Sequence, residues 1–407
     1  MDIVHQRCAG LDVHKDEVVA CARVMSGRKV VRTSSRFPTT TRGLLALADW
    51  LQGYQCEVVA LEATGVYWKP VWHVLEAQFS LMLANPGHVR AIPGRKSDMN
   101  DAAWLADLVA HGLIRASFVP PPAIQELRDL TRTRKQLVRQ IAQHNLRLQK
   151  TLEDANLKIA SFVSDLLGVS GRAILRGLIE GETSPERLLA RTTGLLRAEP
   201  EQLQAALEGY IHEHHRFLLR LHLTQIEAIE EGLRTVDGRL EILVRPFEAT
   251  VERLSTIPGV SRLVAQTLIA EIGADVDRFP TPGHLRSWVG LCPRLDESAG
   301  KRRSTRLRHG APWLKTVLIQ AAWAAIRRRD AYPRAQFHRL KAKRGPKKAI
   351  VAVAASLLTA VYFMLRNNVP YRDLGAHYFD RHDTGRAAAR LTKRLEALGF
   401  KVALSAA

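Results

Sequence analysis

The sequence predicts a mixed α/β domain at the N-terminus, followed by a longer and mostly helical region. Three observations predict it. Residues 8–119 alternate strand-like with helix-like stretches, the prolines Pro120, Pro121 and Pro122 end that pattern, and beyond them the apolar spacing is helical. With 407 residues, 46% hydrophobic and 25% charged, the chain is long enough for two or three domains with real cores and too apolar to be disordered.

The elements follow in order. CAGLDVH from Cys8, EVVACARV from Glu17 and KVVRTSSRF from Lys29 read as strands, and the short turns HKD and MSGR predict an antiparallel meander. TTTRGLLALADWLQ has a Thr cap and helical spacing, EVVALEA is a short apolar strand, VYWKPVWHVLEAQ a helix and FSLMLAN the final strand. Beyond the prolines a long helix is predicted from roughly Ile124 to Ile159. Its Leu130, Leu137, Ile141, Leu148, Leu152 and Ile159 follow an eleven-residue period, closer to a straight helix than to a heptad coil, with Arg128, Arg132, Lys135 and Arg139 on the opposite face. That length suits a hairpin or coiled-coil arm able to join subunits. Residues 160–250 read as helical, and HEHH, His212 to His215, as a solvated helix face, because no HExxH is present.

STIPGVSRLVAQTLIAEIG, from Ser255, reads as a helix-hairpin-helix. Its Pro-Gly turn at Gly259 would offer backbone N–H groups to a DNA phosphate, and a plain turn between two helices explains the same pattern. AIVAVAASLLTAVYFML, from Ala349, has no charge for 17 residues, but its many alanines with Ser356 and Thr359 favour a buried helix over a membrane span. The expected domains are 1–120, 121–250, 251–345 and 346–407.

The net charge is +20 and favours a polyanionic partner, nucleic acid or an anionic membrane surface. The charge is concentrated: from Lys301 to Lys348 there are sixteen Lys and Arg against one acid, Asp330, which points to a phosphate-binding face. The N-terminus lacks an apolar stretch long enough for a signal peptide, and Cys8, Cys21, Cys56 and Cys292 form no CxxC pair. A cytoplasmic, reduced protein is expected.

Four carboxylates carry the chemistry. Asp12 sits among apolar residues of the first strand, on the face of Gly10, and Glu62 ends another apolar strand before a glycine-containing turn. In GRKSDMNDAAW, Asp98 and Asp101 follow the cations Arg95 and Lys96. A helix start capped by Ser97 would explain those two acids alone, and a spacing of three would put both on one helical face. Two acids on strands and two on a following helix make an oxygen-rich site for Mg²⁺, two ions of which can serve both oxygens of a phosphodiester. The order argues for a metal-dependent site of ribonuclease-H type, with Arg95 and Lys96 meeting phosphate.

A second cluster is GLCPRLDESAGKRRSTRLRHG, from Gly290 to Gly310. Ser298 precedes Ala299 and Gly300, which permit close approach. Lys301, Arg302 and Arg303 follow as cations able to stabilise a phosphorane, and with Arg306 and Arg308 they are expected nucleic-acid contacts. An activated serine there could be a nucleophile; a phosphate-binding loop with an incidental serine reads the same.

Taken together, GLDVHKD, LEATGVYW and KSDMNDA in the N-terminal part, then IPGV and GLCPRLDESAGKRRS, resemble the motifs of the insertion-sequence 110 family of transposases, the bridge-RNA-guided recombinases. The resemblance covers nearly the whole chain. It implies a RuvC-like DEDD domain with Asp12, Glu62, Asp98 and Asp101 as its tetrad. It further implies a transposase domain with Ser298 as nucleophile, and ranks Asp107 and Ser304 lower. Its further implications are Mg²⁺, two ions with Mn²⁺ as a substitute, donor and target DNA as substrates, and a structured non-coding guide RNA. A covalent phosphoserine, a Holliday junction and a homo-oligomer, dimer or tetramer, with a composite active site also follow from it. The alternatives are a structure-selective junction endonuclease that uses the tetrad without serine chemistry, and a non-catalytic architectural DNA-binder.

Overall fold

The computed structural model describes residues 3–27, 29–63, 65–93, 100–163, 165–193, 199–293, 296–304 and 306–404, with backbone only for Pro200, Asp296, Ser298, Arg302 and Arg303. The chain divides into two compact units, Met1–Pro120 and Pro121–Ala407.

The first unit is a six-stranded sheet. β1 (Arg7–Val13), β2 (Glu17–Ser26) and β3 (Lys29–Pro38) form the predicted meander, α1 (Thr41–Gly53) follows, and β4 (Val58–Glu62) returns beside β1. Then come α2 (Trp68–Leu75), β5 (Ser80–Ala84), α3 (Pro86–Ala91), α4 (Asp101–Ala110) and the two-residue β6 (Ala116–Ser117). The strand order is β3-β2-β1-β4-β5-β6, antiparallel through β1, parallel from β1 to β5, and antiparallel again at β6.

Strand alternation divides the side chains between two layers. Ala9, Leu11 and Val13 of β1 join Val59 and Leu61 of β4 against Leu44, Leu47 and Leu51 of α1 and Val71 and Leu75 of α2. Cys8 of β1 and Val58 and Ala60 of β4 face Trp104, Leu105 and Leu108 of α4. Gly10 lies between them, and a Cβ there would sit 2.2 Å from the Ala102 carbonyl oxygen. Helix α4 therefore rests directly on the β1 backbone, a closeness that no larger residue allows.

The second unit is helical. α5 (Pro122–Asp154) and α10 (Glu213–Val244) are an antiparallel pair, tied by Arg134 to Asp237, His144 to His222 and Asp154 to His215. Between them in sequence lie α6 (Ile159–Phe162), α7 (Val169–Glu180), α8 (Pro185–Ala190) and α9 (Pro200–Leu207). Leucines and isoleucines of α6 to α9 pack with Leu148, Leu152, Leu219 and Leu223 into a core at one end of the pair. The predicted helix to Ile159 ends at Asp154, followed by Asn156 in the left-handed region at φ 55°.

The other end of the pair enters a larger core with α11 (Glu248–Ser255), α12 (Arg262–Ile272), α13 (Pro282–Val289), α14 (Pro312–Ala325), α15 (Tyr332–Arg344) and α16 (Pro346–Asn367). A hairpin, β7 (Asp296–Ser298) and β8 (Lys301–Ser304), lies between α13 and α14, and α17 (Tyr378–His382) and α18 (Thr384–Ala397) follow α16. Among the described residues, α16 is the one helix long and apolar enough to cross a membrane. Here it is central to the core, with Val353, Leu358, Val361 and Tyr362 fully buried and the Tyr362 hydroxyl donating to the Phe279 carbonyl at 2.9 Å. Two of the expected boundaries lie within this packing. The one at 345/346 would cut through a single hydrophobic core, and the one at 250/251 falls inside α11.

Candidate functional site

Three of the four predicted acids converge in the first unit. β1 and β4 are parallel with Leu11 opposite Leu61, so Asp12 and Glu62 each follow a paired leucine at the same carboxyl-terminal edge of the sheet. Alternation gives both the α4 face, Asp12 with Cys8 and Glu62 with Val58 and Ala60. Asp101 is the first residue of α4, whose N-cap is Asn100: its Oδ1 accepts a hydrogen bond from the Ala103 N–H at 2.7 Å. Asp12, Glu62 and Asp101 line one cavity of about 300 Å³, with His14, Arg90 and Trp104 also on its wall. The carboxyl ends of parallel strands are where open α/β sheets place ligands. His14 Nε2 lies 3.2 Å from Asp12 Oδ2, and all three acids are half-buried.

Asp98, Arg95, Lys96 and Ser97 lie outside the described residues. The expected cap at Ser97 is corrected, because Asn100 caps the helix and α4 begins at Asp101. The shared helical face proposed for Asp98 and Asp101 falls on a residue outside the described ones. Among the described residues no group of three or more His, Cys, Asp or Glu side chains is arranged to hold a metal ion. The donors of the cavity are nevertheless carboxylate oxygens, the kind hard divalent cations take.

Asp107, on the same helix, has a different environment. Arg23 Nε donates to its Oδ1 at 2.9 Å, and Arg32 Nη2 to both oxygens at 2.9 and 3.0 Å. Arg23 is 2% exposed, so Asp107 neutralises a cation sealed in the sheet.

In the second unit, Ser298 ends β7 opposite Lys301. Ala299 and Gly300 form the two-residue turn with φ of 51° and 73°, the left-handed pair of a type I′ hairpin turn. A register shift between Asp296 and Glu297 lets Asp296 face Ser304. The hairpin is closed at its base where Pro293 pairs with Leu307, and Arg308 Nη1 donates to Ser287 Oγ at 3.3 Å. Lys301, Arg306 and Arg308 are exposed; the side chains of Ser298, Arg302 and Arg303 lie outside the described residues.

The Pro-Gly turn read as a phosphate-binding hairpin lies against α14. Pro258 is buried, and a Cβ on Gly259, at φ 81°, would lie 2.2 Å from the Ala321 carbonyl oxygen of α14. Gly259 thus serves the packing of this turn on α14. Arg262, at the start of α12, is engaged by Glu241 and Glu248. The cationic face expected on α5 is also partly inward: Arg128 Nη2 donates to the Glu271 carbonyl at 2.9 Å, and Arg132 makes a two-pronged bond to the Glu271 carboxylate at 2.8 and 2.9 Å. Exposed cations run instead from Arg327 to Arg329, and through Lys341, Lys343, Arg344, Lys347 and Lys348.

His14 and Arg90 were missed by sequence reasoning. His14 stood two residues from Asp12 in GLDVHKD, whereas Arg90 sits on α3, a helix that the sequence reading did not separate from its surroundings.

Comparison with known proteins agrees with this architecture. Residues 9–157 match the family model for DEDD-type IS110 transposases, described as "Transposase", and residues 251–339 match "Transposase IS116/IS110/IS902 family". The two matches together cover more than half of the chain. The "Pilin gene-inverting protein" of Moraxella bovis is 23% identical over 380 residues, 89% of this chain and 96% of that protein, and its namesake in Moraxella lacunata aligns to the same extent. An "Insertion element IS110" protein of Streptomyces coelicolor is 25% identical over 150 residues, 36% of each chain. The chain belongs to the IS110 family of transposases, and it is a DNA transposase or recombinase enzyme.

Proposed function

We propose that this transposase cuts and rejoins donor and target DNA with Ser298 as nucleophile and with Asp12, Glu62, Asp98 and Asp101 as the ligands of divalent metal, Mg²⁺ or its substitute Mn²⁺. The observation that carries the reading is the arrival of Asp12, Glu62 and Asp101, from three separate elements, at one cavity on the carboxyl edge of the sheet. Metal bound there would supply charge stabilisation at a phosphodiester. The chain's own residues do the rest. Ser298 Oγ forms a bond to phosphorus as the bond from phosphorus to a sugar oxygen breaks, the serine proton leaves, and the sugar oxygen departs as a hydroxyl. Lys301, Arg302 and Arg303, beside the serine in sequence, offset the phosphorane's charge. Arg90 gives the cavity a cationic wall, and His14 a hydrogen-bonding one, that position a phosphate beside the acids. A structured RNA directs the choice of DNA, and a homo-oligomer brings the acids of one subunit to the serine of another, with the α5–α10 pair as the assembly arm.

The test is covalent trapping. Protein, guide RNA, labelled donor and target DNA and Mg²⁺ are incubated and then denatured. The wild-type chain leaves a detergent-stable protein–DNA adduct. Ser298→Ala loses the adduct and recombination while still binding DNA, and Ser304→Ala keeps both. Recombination by Ser298→Ala would sink the serine chemistry and favour a junction endonuclease acting through the acids alone.

A further inference from the structure

We propose that the groove between α5, α12 and α14 is a slot for one unpaired nucleotide of a DNA strand, its base packed against Trp313 and its phosphates held by Lys135 and Arg139. The groove encloses about 340 Å³, the size of a small-ligand site, and Val138, Leu263, Val264 and Val317 give it apolar walls. Trp313 forms part of the lining, and three cations of α5 gather around its ring. Arg132 Cζ and Lys135 Nζ are each 5.7 Å from the ring centroid, and Arg139 Cζ is 5.4 Å from it. All three are within the range of cation–π attraction.

The charge of this groove is not balanced. Its acid, Glu271, is 2% exposed and already holds Arg132 in a two-pronged bond, with Arg128 at 3.8 Å. Arg134 is matched by Asp237. Among the described residues no carboxylate comes within ion-pair distance of Lys135 or Arg139. Lys135 Nζ donates to the Trp313 carbonyl at 3.3 Å, and burial, then the charge of Arg139, lowers its pKa from the ordinary lysine value. Two unmatched cations at a concave, apolar, aromatic-lined groove favour a ligand that is flat and apolar on its faces and negatively charged at its ends. A nucleotide has that chemistry, and base–aromatic stacking beside cations is how single strands are held. A paired base already has its faces stacked within the duplex and cannot enter. DNA is the source because the chain is a DNA transposase.

This inference uses neither Ser298 nor the acids, so it stands or falls apart from the proposed reaction. The full chain is titrated, in EDTA to prevent cleavage, with a DNA strand carrying 2-aminopurine, alone and as an unpaired base within a duplex. Wild type should quench the fluorophore. Trp313→Leu should abolish the quench and weaken single-strand binding roughly 5- to 150-fold, with fully paired duplex affinity unchanged, while Trp313→Phe keeps most of both. Lys135→Gln with Arg139→Gln should lower the salt dependence of single-strand binding by about 1.4 log units per log unit of salt, since each phosphate contact contributes about 0.7. Undiminished quenching and affinity in Trp313→Leu would overturn the proposal. Tighter, Trp313-dependent binding of the same sequence as RNA would overturn the assignment to DNA. A changed oligomeric state with unchanged DNA affinity would make the groove a contact between chains instead.

Discussion

The acid cavity and the serine hairpin are built in opposite ways. In the first unit, Asp12 and Glu62 project from neighbouring parallel strands whose intervening residues are buried on both faces, and α4 is seated on β1 at Gly10. Their positions are inherited from a sheet. In the second unit, Ser298 sits at the tip of a two-stranded hairpin whose exposed residues include Glu297, Ala299, Gly300 and Lys301, and whose shape depends on a turn with two positive φ angles. Its position is inherited from turn chemistry.

The sharpest way to break the comparison is on α4 itself, where two acids six residues apart differ in their surroundings. Asp107→Ala strips the buried Arg23 of its carboxylate and should cost about 3–5 kcal/mol of stability, the range for halving a buried ion pair. Asp101→Asn, which keeps the size of a half-buried side chain, should leave the free energy of unfolding within about 0.5 kcal/mol of wild type, yet abolish strand cleavage. If Asp101→Asn unfolds the first unit instead, the cavity acids are structural.

A smaller effect tests the hairpin. Gly300→Val puts a branched side chain at φ 73° and should cost on the order of 1–2 kcal/mol locally. A Cβ at Gly300 would meet nothing within 4 Å, so the thermal midpoint should barely move while the yield of covalent adduct falls. Ala299→Asn, which suits the first position of a type I′ turn, should preserve or raise the yield. An adduct yield indifferent to both would mean that turn geometry does not position Ser298.

A further effect appears only in alkali. Burial pushes the Cys8 thiol up to about 12 and the Cys56 thiol to about 11, from an ordinary value near 9. Between those values the native state keeps protons that the unfolded state loses, so stability should be flat below pH 9 and decline as pH rises from 9 toward 12. At pH 8 the half-buried Cys292, near the hairpin, should alkylate first, with Cys8, Cys21 and Cys56 following only on unfolding. Native alkylation of Cys8 at that pH would show that α4 lifts from β1.

Sequence by itself determined the three-strand meander, α1, β4, α2 and β5, because alternation and capping are local and period-specific signals. It also determined which residue types could do chemistry: an isolated acid at the end of an apolar strand is costly unless it has work or a partner, and GLDVHKD and VVALEATG each hold one. Asp12 and Asp107 show where that reasoning stops. Both are acids in apolar surroundings, and only the fold decides that one lines a cavity while the other neutralises Arg23, a residue 84 positions away. The same holds for Gly259, whose close seat on α14 no local pattern announces, and for Arg132, placed by spacing on the face opposite the apolar one until Glu271 meets it. Trp313 and Lys135 are 178 residues apart, and no local pattern joins them. Spacing encodes what a helix or strand does with its own neighbours. Which distant charge or backbone comes to rest against it depends on how the elements pack, and only the tertiary structure decided that.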